Sequence, residues 1–433
     1  MKLSKLTFAC CLLFSLCLSS CLKDQCEGTS TFIQWTPVYK TLAEIRADIK
    51  IEAPRTLKNP GKLYFYGDYV LINERNEGVH IIDNRDVTNP QNISFLAIPG
   101  NVDMAVKDGF LYADNYIDLL TINIQNPKAP TLVKRTEDVF VAQGIHPELG
   151  LIVDYIEEEV KVEINCNDPR SGQDWFWLED SFLSNQAADV AFPTASPSGA
   201  GGGAATTAPA TGIGGSFARF TLYEDYLYTV DNTNLRVFEI NADACPNFRN
   251  NVRVGWGIET IFPLKDKLFI GSNNGMFIYD VRNPLVPTQL SQFEHARACD
   301  PVYVKDDIAF VTLRDGSTCQ GFVNQLDIID VSDLEAPRLL HTYSMDNPHG
   351  LSVKGNTLFL CEGDFGFKIF DVADLARVKD NLIHHKKDFK AYDVIALPNK
   401  DVVMVIGADG FYQFETSNLK SLKELSVIPV ERD

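Results

Sequence analysis

A short motif recurs along this chain at a nearly constant interval. Residues 280–287, DVRNPLVP, follow the apolar run MFIY, and residues 330–337, DVSDLEAP, follow LDII in the same way. Further copies begin at Asp371, and less regularly at Asp86, Asn123, Glu163, Glu239 and Glu415. The steps between first residues are 37 (123 minus 86), 40, 76, 41, 50, 41 and 44, so eight units share one period and the step of 76 contains an insertion. Such a period is typical of a repeat architecture.

Each repeat unit contains about four short runs of alternating apolar residues. In one unit these are VYVKD, IAFVTL, QLDIID and LLHTYS, separated by turn residues and without a helical period. Four antiparallel strands in about forty residues are typical of a propeller blade. The sequence therefore predicts an all-β protein, a β-propeller of about eight four-stranded blades. Seven blades are the alternative, because the third, fourth and eighth copies of the motif are irregular.

The motif itself resembles a known repeat. IIDVSDLEAP, IYDVRNPLVP and HIIDNRDVTNP are similar to the LVIVD repeat, which builds a family of bacterial β-propellers. The resemblance covers roughly residues 60–430. It implies a secreted propeller, and it carries over no catalytic residue because the family has no agreed activity.

The first twenty residues have the features of a signal peptide. Lys2 and Lys5 precede an apolar run from Leu6 to Leu18 that is too short to remain as a membrane span. The sequence LSSC, which ends at Cys21, resembles a bacterial lipobox and implies a lipid anchor such as palmitate on Cys21. A plain secretory peptide with a chance cysteine is the alternative. Leu22 stands where aspartate would favour the inner membrane, and this resemblance to lipoprotein sorting signals implies the outer membrane.

The remaining chain divides into three predicted parts. Residues 21–60 are expected to be a lipid-anchored tether followed by a short helix and a strand that lies against the first blade. The propeller is assigned to residues 61–430. It is interrupted at about 166–215 by a segment rich in Gly, Ala and Thr, which we expect to be disordered because it cannot bury a core.

Charge and cysteine content limit the partners. A net charge of −19 excludes nucleic acid as an expected partner, because phosphate binding needs clustered Lys and Arg. Cys299 and Cys319 bracket one strand pair and are the candidates for a disulfide, which an exported protein can form. There is no CxxC pair and no recognisable zinc, phosphate-loop or calcium-loop motif, so we expect no metal and no cofactor.

One set of polar residues recurs at the start of the predicted first strands. Alignment on the VKD, LKD and VKG turns gives equivalent positions to Asp300, His349 and Asp393, with Glu259 and Asp103 one residue away. First strands line the channel of a propeller, so these five side chains are candidates for a ligand-binding ring at the channel mouth that suits a cation or an amine. The favoured alternative is that each caps the loop that enters its own strand. Arg297 and Arg314 could neutralise the ring.

These observations leave three functions open. The leading one is a non-catalytic binding or scaffold module at the outer membrane or cell surface, with an envelope protein or glycan as partner, because rigid strands carry variable loops. The alternative is a secreted hydrolase or lyase that uses the acidic residues at the channel mouth. A purely structural spacer is the third, since the fold alone does not choose among them.

Overall fold

The computed structural model describes residues 27–47, 49–140, 145–165, 211–216, 218–294, 301–315 and 323–432. The chain divides into two compact units, one formed by residues 1–39 and 152–187 and the other by residues 40–151 and 188–433. Cys21, Cys299, Cys319, Asp300 and Arg297 lie outside the described residues, and so does most of the predicted insertion. In the described part, no helix is long and apolar enough to cross a bilayer.

The first elements precede the repeats. They are β1 (Glu27–Lys40), the helix α1 (Leu42–Ala47) and β2 (Lys50–Glu52). Thr41 caps α1, since its hydroxyl and backbone N–H both donate to the carboxylate of Glu44, at 2.7 and 2.8 Å, and its hydroxyl accepts from the Glu44 N–H. β2 pairs with the outermost strand of the first blade, with Ile51 opposite Leu96.

The strands of the repeats follow in chain order. The first blade has β3 (Pro60–Tyr66), β4 (Tyr69–Glu74), β5 (Gly78–Asp83) and β6 (Gln91–Ala97), and the second has β7 (Met104–Lys107), β8 (Phe110–Asn115), β9 (Asp118–Asn123) and β10 (Thr131–Thr136). Next come β11 (Ile145–His146), β12 (Gly150–Asn165) and β13 (Ile213–Gly214). The third blade has β14 (Phe220–Tyr223), β15 (Tyr226–Val230), β16 (Asn234–Ile240) and β17 (Pro246–Arg253).

Four more blades complete the chain. The fourth has β18 (Ile258–Leu264), β19 (Lys267–Ser272), β20 (Gly275–Asp280) and β21 (Thr288–Glu294), and the fifth has β22 (Val302–Lys305), β23 (Ile308–Leu313), β24 (Gln325–Asp330) and β25 (Arg338–Ser344). The sixth has β26 (Leu351–Lys354), β27 (Thr357–Cys361), β28 (Phe367–Asp371) and β29 (Leu382–Lys386), with a 3-10 turn at Leu375–Arg377. The seventh has β30 (Asp393–Ala396), β31 (Val402–Gly407), β32 (Gly410–Glu415) and β33 (Lys423–Pro429).

The predicted propeller is confirmed. The described residues form eight antiparallel sheets, and seven of them contain a four-stranded meander. The innermost strands of successive meanders contact each other, and β3 of the first blade also contacts β30 and β31 of the seventh, so the seven blades close into a ring. The eighth sheet consists of β1, β12 and β11. It contains the repeat copy at Glu163, which lies at the end of β12.

Burial follows the position of a strand within its blade. The second and third strands are covered on both faces by neighbouring blades, as in β4, where Leu71 and Ile72 are both fully buried. The outermost strands alternate, as in β25, because one face meets solvent. Continuous apolar runs in mid-blade therefore carry the core, at about 1.5–3 kcal/mol for each large side chain that is buried.

The recurrent motif begins at the end of the third strand. By this register its first copy begins at Asp83 and not at Asp86, which makes the first step 40 residues (123 minus 83). The first side chain accepts a hydrogen bond from the N–H two residues later, at 2.9 Å for both Asp280 and Asp330. This turn geometry explains why Asp or Asn stands there.

The same turn joins each blade to its predecessor. In five blades the fifth residue of the motif offers its carbonyl oxygen to a side chain of the preceding blade. The bonds are Ser94 Oγ to Pro127 (2.7 Å), Tyr228 Oη to Pro284 (2.9 Å), Ser291 Oγ to Leu334 (2.6 Å), Tyr343 Oη to Leu375 (2.6 Å) and Ser426 Oγ to Val87 (2.8 Å). The motif thus specifies blade packing as well as a turn.

Closure of the ring between the last and first blades uses a buried amide pair. Asn84 Nδ2 donates to Gln413 Oε1 at 2.9 Å, and Gln413 Nε2 donates back to Asn84 Oδ1 at 2.7 Å. We expect Gln413→Leu to lower the free energy of unfolding by about 1–3 kcal/mol, because it leaves the buried Asn84 amide without this partner. Urea unfolding checks the value. Asn84→Leu combined with Gln413→Leu should recover most of the loss, and a single-variant cost below that of Ser94→Ala would contradict the assignment.

Candidate functional site

Four of the five predicted ring residues are described, and all lie where innermost strands begin. Asp103 directly precedes β7, Glu259 is the second residue of β18, His349 stands two residues before β26, and Asp393 is the first residue of β30. The innermost strands of a propeller run in the same direction, so these starts share one end of the ring. We call this end the channel mouth.

Asp103 is buried and binds a side-chain ammonium and backbone N–H groups. Its Oδ2 lies 2.7 Å from the ammonium of Lys62, which is also buried. The same oxygen accepts the backbone N–H groups of Arg219 and of Phe220, the latter at 3.1 Å. Its Oδ1 accepts the N–H of Met104 at 2.7 Å, so Asp103 caps its own strand as well as the strand entry of the next blade.

A second carboxylate supports the loop that carries Asp103. Asp114 Oδ1 accepts from the N–H groups of Val102 and Asp103, at 2.9 and 2.8 Å, and from Asn101 Nδ2 at 2.8 Å. Burial raises the pKa of Asp114 to about 6, although these hydrogen bonds and Lys62 act against the rise. The loop N–H groups are therefore satisfied by a side chain at the end of the second strand.

The same arrangement occurs in two other blades. In each, a buried glutamate at the end of the second strand accepts two N–H groups of the loop that enters the first strand. The pairs are Glu74 with Lys58 and Asn59, and Glu362 with Asp346 and Asn347. A buried nitrogen-bearing side chain on the third strand contacts each carboxylate: His80 Nε2 lies 2.9 Å from Glu74, and the Lys368 ammonium lies 2.9 Å from Glu362. These buried carboxylates therefore have a structural role.

The buried ammonium of Lys62 has a depressed pKa. Burial lowers the pKa of Lys62 to about 8, and the charge of Arg219 adds to this, while Asp103 opposes it. Between about pH 8 and pH 10.5 the unfolded chain therefore binds a proton that the folded chain lacks. The free energy of unfolding should rise with pH across this window.

A comparison with Lys62→Met tests this pH dependence. We expect the difference in unfolding free energy between wild type and Lys62→Met to grow by at least about 1 kcal/mol from pH 7.5 to pH 10, since only wild type carries the titrating amine. Urea unfolding at both pH values measures it. If the difference stays constant with pH, Lys62 has the same pKa in the folded and the unfolded chain.

His349 is held in its neutral form. Its Nε2 donates to Asn347 Oδ1 at 2.7 Å, and no described residue is a hydrogen-bond partner of its buried Nδ1. Burial, followed by the nearby charge of Arg314, places the pKa of His349 well below its usual value of 6.5. A neutral imidazole at this place contributes no positive charge to the mouth.

Asp393 is confined between two glycines. A Cβ atom added to Gly215 would lie 1.9 Å from Asp393 Oδ2, and one added to Gly350 would lie 2.3 Å from Oδ1. The N–H of Ser216 donates to Oδ1 at 3.3 Å. The carboxylate is therefore packed tightly against backbone on both sides.

Glu259 differs from the other ring residues because it is partly exposed. The pairing of β18 with β19 shifts between Ile258 and Thr260, which places Glu259 in a β-bulge. A bulge redirects a side chain relative to its neighbours. The described residues include no group of three or more His, Cys, Asp or Glu side chains that could hold a metal ion.

The channel contains part of the chain itself. Residues 211–216, which we call the channel segment, add β13 to the inner edge of β3, with Gly214 opposite Tyr64. Gly212 N–H donates to Val106 O at 3.0 Å, and Ser216 Oγ accepts from Leu351 N–H at 2.8 Å. Four blades therefore contact this segment, counting Asp393 of the seventh.

The channel segment corrects one expectation from sequence. Residues 211–215 fall within the insertion that was predicted to be disordered, yet they form a strand and its flanks. Sequence reasoning also missed Lys62 and Arg219, the cations at the mouth. They occupy the position of Asp103 in the first and third blades, whose turns read FYG and LYE instead of VKD.

Comparison with known proteins identifies one family of repeats. The family model described as LVIVD repeat matches residues 318–345, which include β24 and β25. The chain contains an LVIVD repeat. Other segments of this chain resemble the same motif. In the seven blades, these segments begin at the end of the third strand. No curated protein matches the chain in sequence.

Solved structures share the fold of this chain. One is a protein from Lactobacillus plantarum, 13% identical, with a TM-score of 0.53 over 86% of this chain and 97% of that one. Another is a functionally unknown protein from Desulfotomaculum acetoxidans, 11% identical, with a TM-score of 0.50 over 86% of this chain and 95% of that one. At this identity the likeness concerns the fold alone.

Proposed function

We propose that this chain is a non-catalytic binding or scaffold module, anchored at the outer membrane by a lipid on Cys21, that binds an envelope protein or glycan with the loops of the channel mouth. The observation that carries the proposal is the channel segment. Because residues 211–216 occupy part of the channel and contact four of its blades, the surrounding loops are the better place for a ligand.

The contacts of the ring residues also favour binding over acid–base chemistry. A general acid or base must reach a substrate atom within hydrogen-bond distance. Asp103 is instead paired with Lys62 and with three backbone N–H groups, and Asp393 is packed between glycines. These contacts count against the hydrolase or lyase alternative.

The loops at the mouth expose two large aromatic side chains. Trp256, in the connection from the third to the fourth blade, is 57% exposed, and Phe365, between the second and third strands of the sixth blade, is 49% exposed. Both connections lie at the end of the ring where innermost strands begin. Exposed aromatic residues are the usual anchors of protein and sugar interfaces.

Partner capture from envelope extract tests the binding surface. We expect the protein to retain a partner that Trp256→Ser with Phe365→Ser loses, as identified by mass spectrometry of the captured material. Leu339→Ser is the matched control, because Leu339 is similarly exposed on an outermost strand of the fifth blade. Equal capture by all three proteins would reject the loops of the mouth as the site.

The lipid anchor needs its own experiment. Labelling of cells with a palmitate analogue should mark the wild-type protein and not Cys21→Ser, and the variant should leave the outer-membrane fraction. A variant that is still labelled and still sediments with the outer membrane would reject Cys21 as the anchor.

A further inference from the structure

Among the strands that the structure describes, β1 is an edge strand. It pairs with β12 along one side, and none of the strands that the structure describes pairs with its other side. No charged residue occurs between Glu27 and Lys40, and Pro37 is the one residue of that stretch that usually blocks strand pairing. Natural proteins normally guard such a long edge with charges, because its N–H and C=O groups can pair with another chain.

Apolar side chains are exposed on both faces of this strand. Phe32 is 47% exposed and Ile33 is 57% exposed, and successive side chains of a strand point to opposite faces. Trp35 is also exposed, and its ring packs edge-on against Tyr155 of β12 at 6.4 Å between centroids. Aromatic packing against β12 thus orders β1, while its apolar side chains Phe32 and Ile33 face outwards.

The neighbouring strand β12 is acidic. Its exposed residues include Asp154, Glu157, Glu158 and Glu159, against the single ammonium of Lys161, which lies 3.2 Å from Glu159. A strand added to β1 would place its side chains within a few ångströms of the β1 side chains and near these carboxylates. Positive charge on the added strand would be favoured and negative charge disfavoured.

We propose that the free edge of β1 is a docking site for an extended segment of a partner protein that alternates apolar residues with Lys or Arg. The segment adds as a strand: its backbone pairs with N–H and C=O groups around Phe32 and Ile33 on the side of β1 away from β12, and its apolar side chains cover Phe32 or Ile33. Its basic side chains reach the carboxylates of β12. A second copy of this chain fits poorly, since it would bring two acidic β12 strands together.

Fluorescence anisotropy with synthetic peptides tests this inference. The probes are a twelve-residue peptide that alternates Val and Lys, the same peptide with Glu for Lys, and the Lys peptide with alternate backbone nitrogens methylated. We expect the purified protein to bind the Lys peptide at least tenfold more tightly than either of the other two. Ile33→Lys should weaken binding of the Lys peptide at least tenfold, and Leu339→Lys should leave it unchanged.

The outcomes separate the alternatives. Equal binding of the Lys and methylated peptides would overturn strand addition without requiring any variant to fold. Equal binding by wild type and Ile33→Lys would place the peptide elsewhere. A concentration-dependent dimer in sedimentation velocity that Ile33→Lys abolishes would assign the edge to a second copy and overturn the proposed partner. None of these results depends on the loops of the channel mouth or on the lipid.

Discussion

Asp103→Asn is expected to lower the free energy of unfolding by about 2–4 kcal/mol, because it removes one member of a buried ion pair. The variant leaves the buried ammonium of Lys62 without the carboxylate that lies 2.7 Å from it. Asparagine keeps the size of aspartate, so the loss comes from charge and not from a cavity. Urea unfolding at pH 7 measures the effect.

The double variant Lys62→Met with Asp103→Asn is the matched control. Methionine removes the orphaned ammonium, and asparagine keeps a side-chain oxygen that can accept from the N–H groups of Arg219 and Phe220. We expect this variant to recover at least half of the loss. A cost below about 1 kcal/mol for the single variant would mean that the Lys62 ammonium does not depend on the charge of Asp103.

The propeller could be predicted from sequence because its determinants are local and repeated. Each motif forms its own turn, and the carbonyl at its fifth residue, such as Leu334, docks the preceding blade. A period of about forty residues is therefore enough to predict blades. The place of the copy at Glu163 could not be predicted in this way, because β12 pairs with β1, more than a hundred residues earlier in the chain.

Alignment of the turns locates the acidic residues of the ring but not its cations, and the reason is physical. In two of these turns the lysine reaches into the next blade, Lys107 to Glu224 O at 2.6 Å and Lys354 to Lys400 O at 2.7 Å, whereas Lys305 binds Asp306 of its own turn at 2.5 Å. Alignment on this lysine therefore follows a true structural position. The first and third blades use Tyr66 and Tyr223 there, so the alignment passed over their cations.

The channel segment shows what composition cannot reveal. Its glycines belong to a run that is typical of disorder, and they are needed here because a Cβ at Gly212 would lie 2.2 Å from the ring of Tyr64. The contacts that order the segment come from blades that are distant in sequence. Likewise Glu157 to Glu159 suggest a solvated turn by composition, yet they lie within β12 because β1 pairs with it.

Gly215→Ala is expected to displace the channel segment and to lower the free energy of unfolding by about 3 kcal/mol. The new methyl group would overlap Asp393, whose carboxylate cannot retreat because Gly350 confines its other side. Overpacking of a filled site costs roughly 1–3 kcal/mol, and each hydrogen bond lost with the segment adds about 1 kcal/mol. Urea unfolding gives the cost, and hydrogen exchange at the amides of residues 212–216 reports the displacement.

Asp393→Ala supplies the control, because it removes the three atoms that the new methyl group would strike. Alone it loses the hydrogen bond from Ser216, so it also carries a cost. Combined with Gly215→Ala, it should restore room for the methyl group, and the two costs should fall short of additivity by at least about 1 kcal/mol. Additive costs with amides that stay protected would mean that the carboxylate moves aside, and that the segment is held in the channel by its pairing with β3 alone.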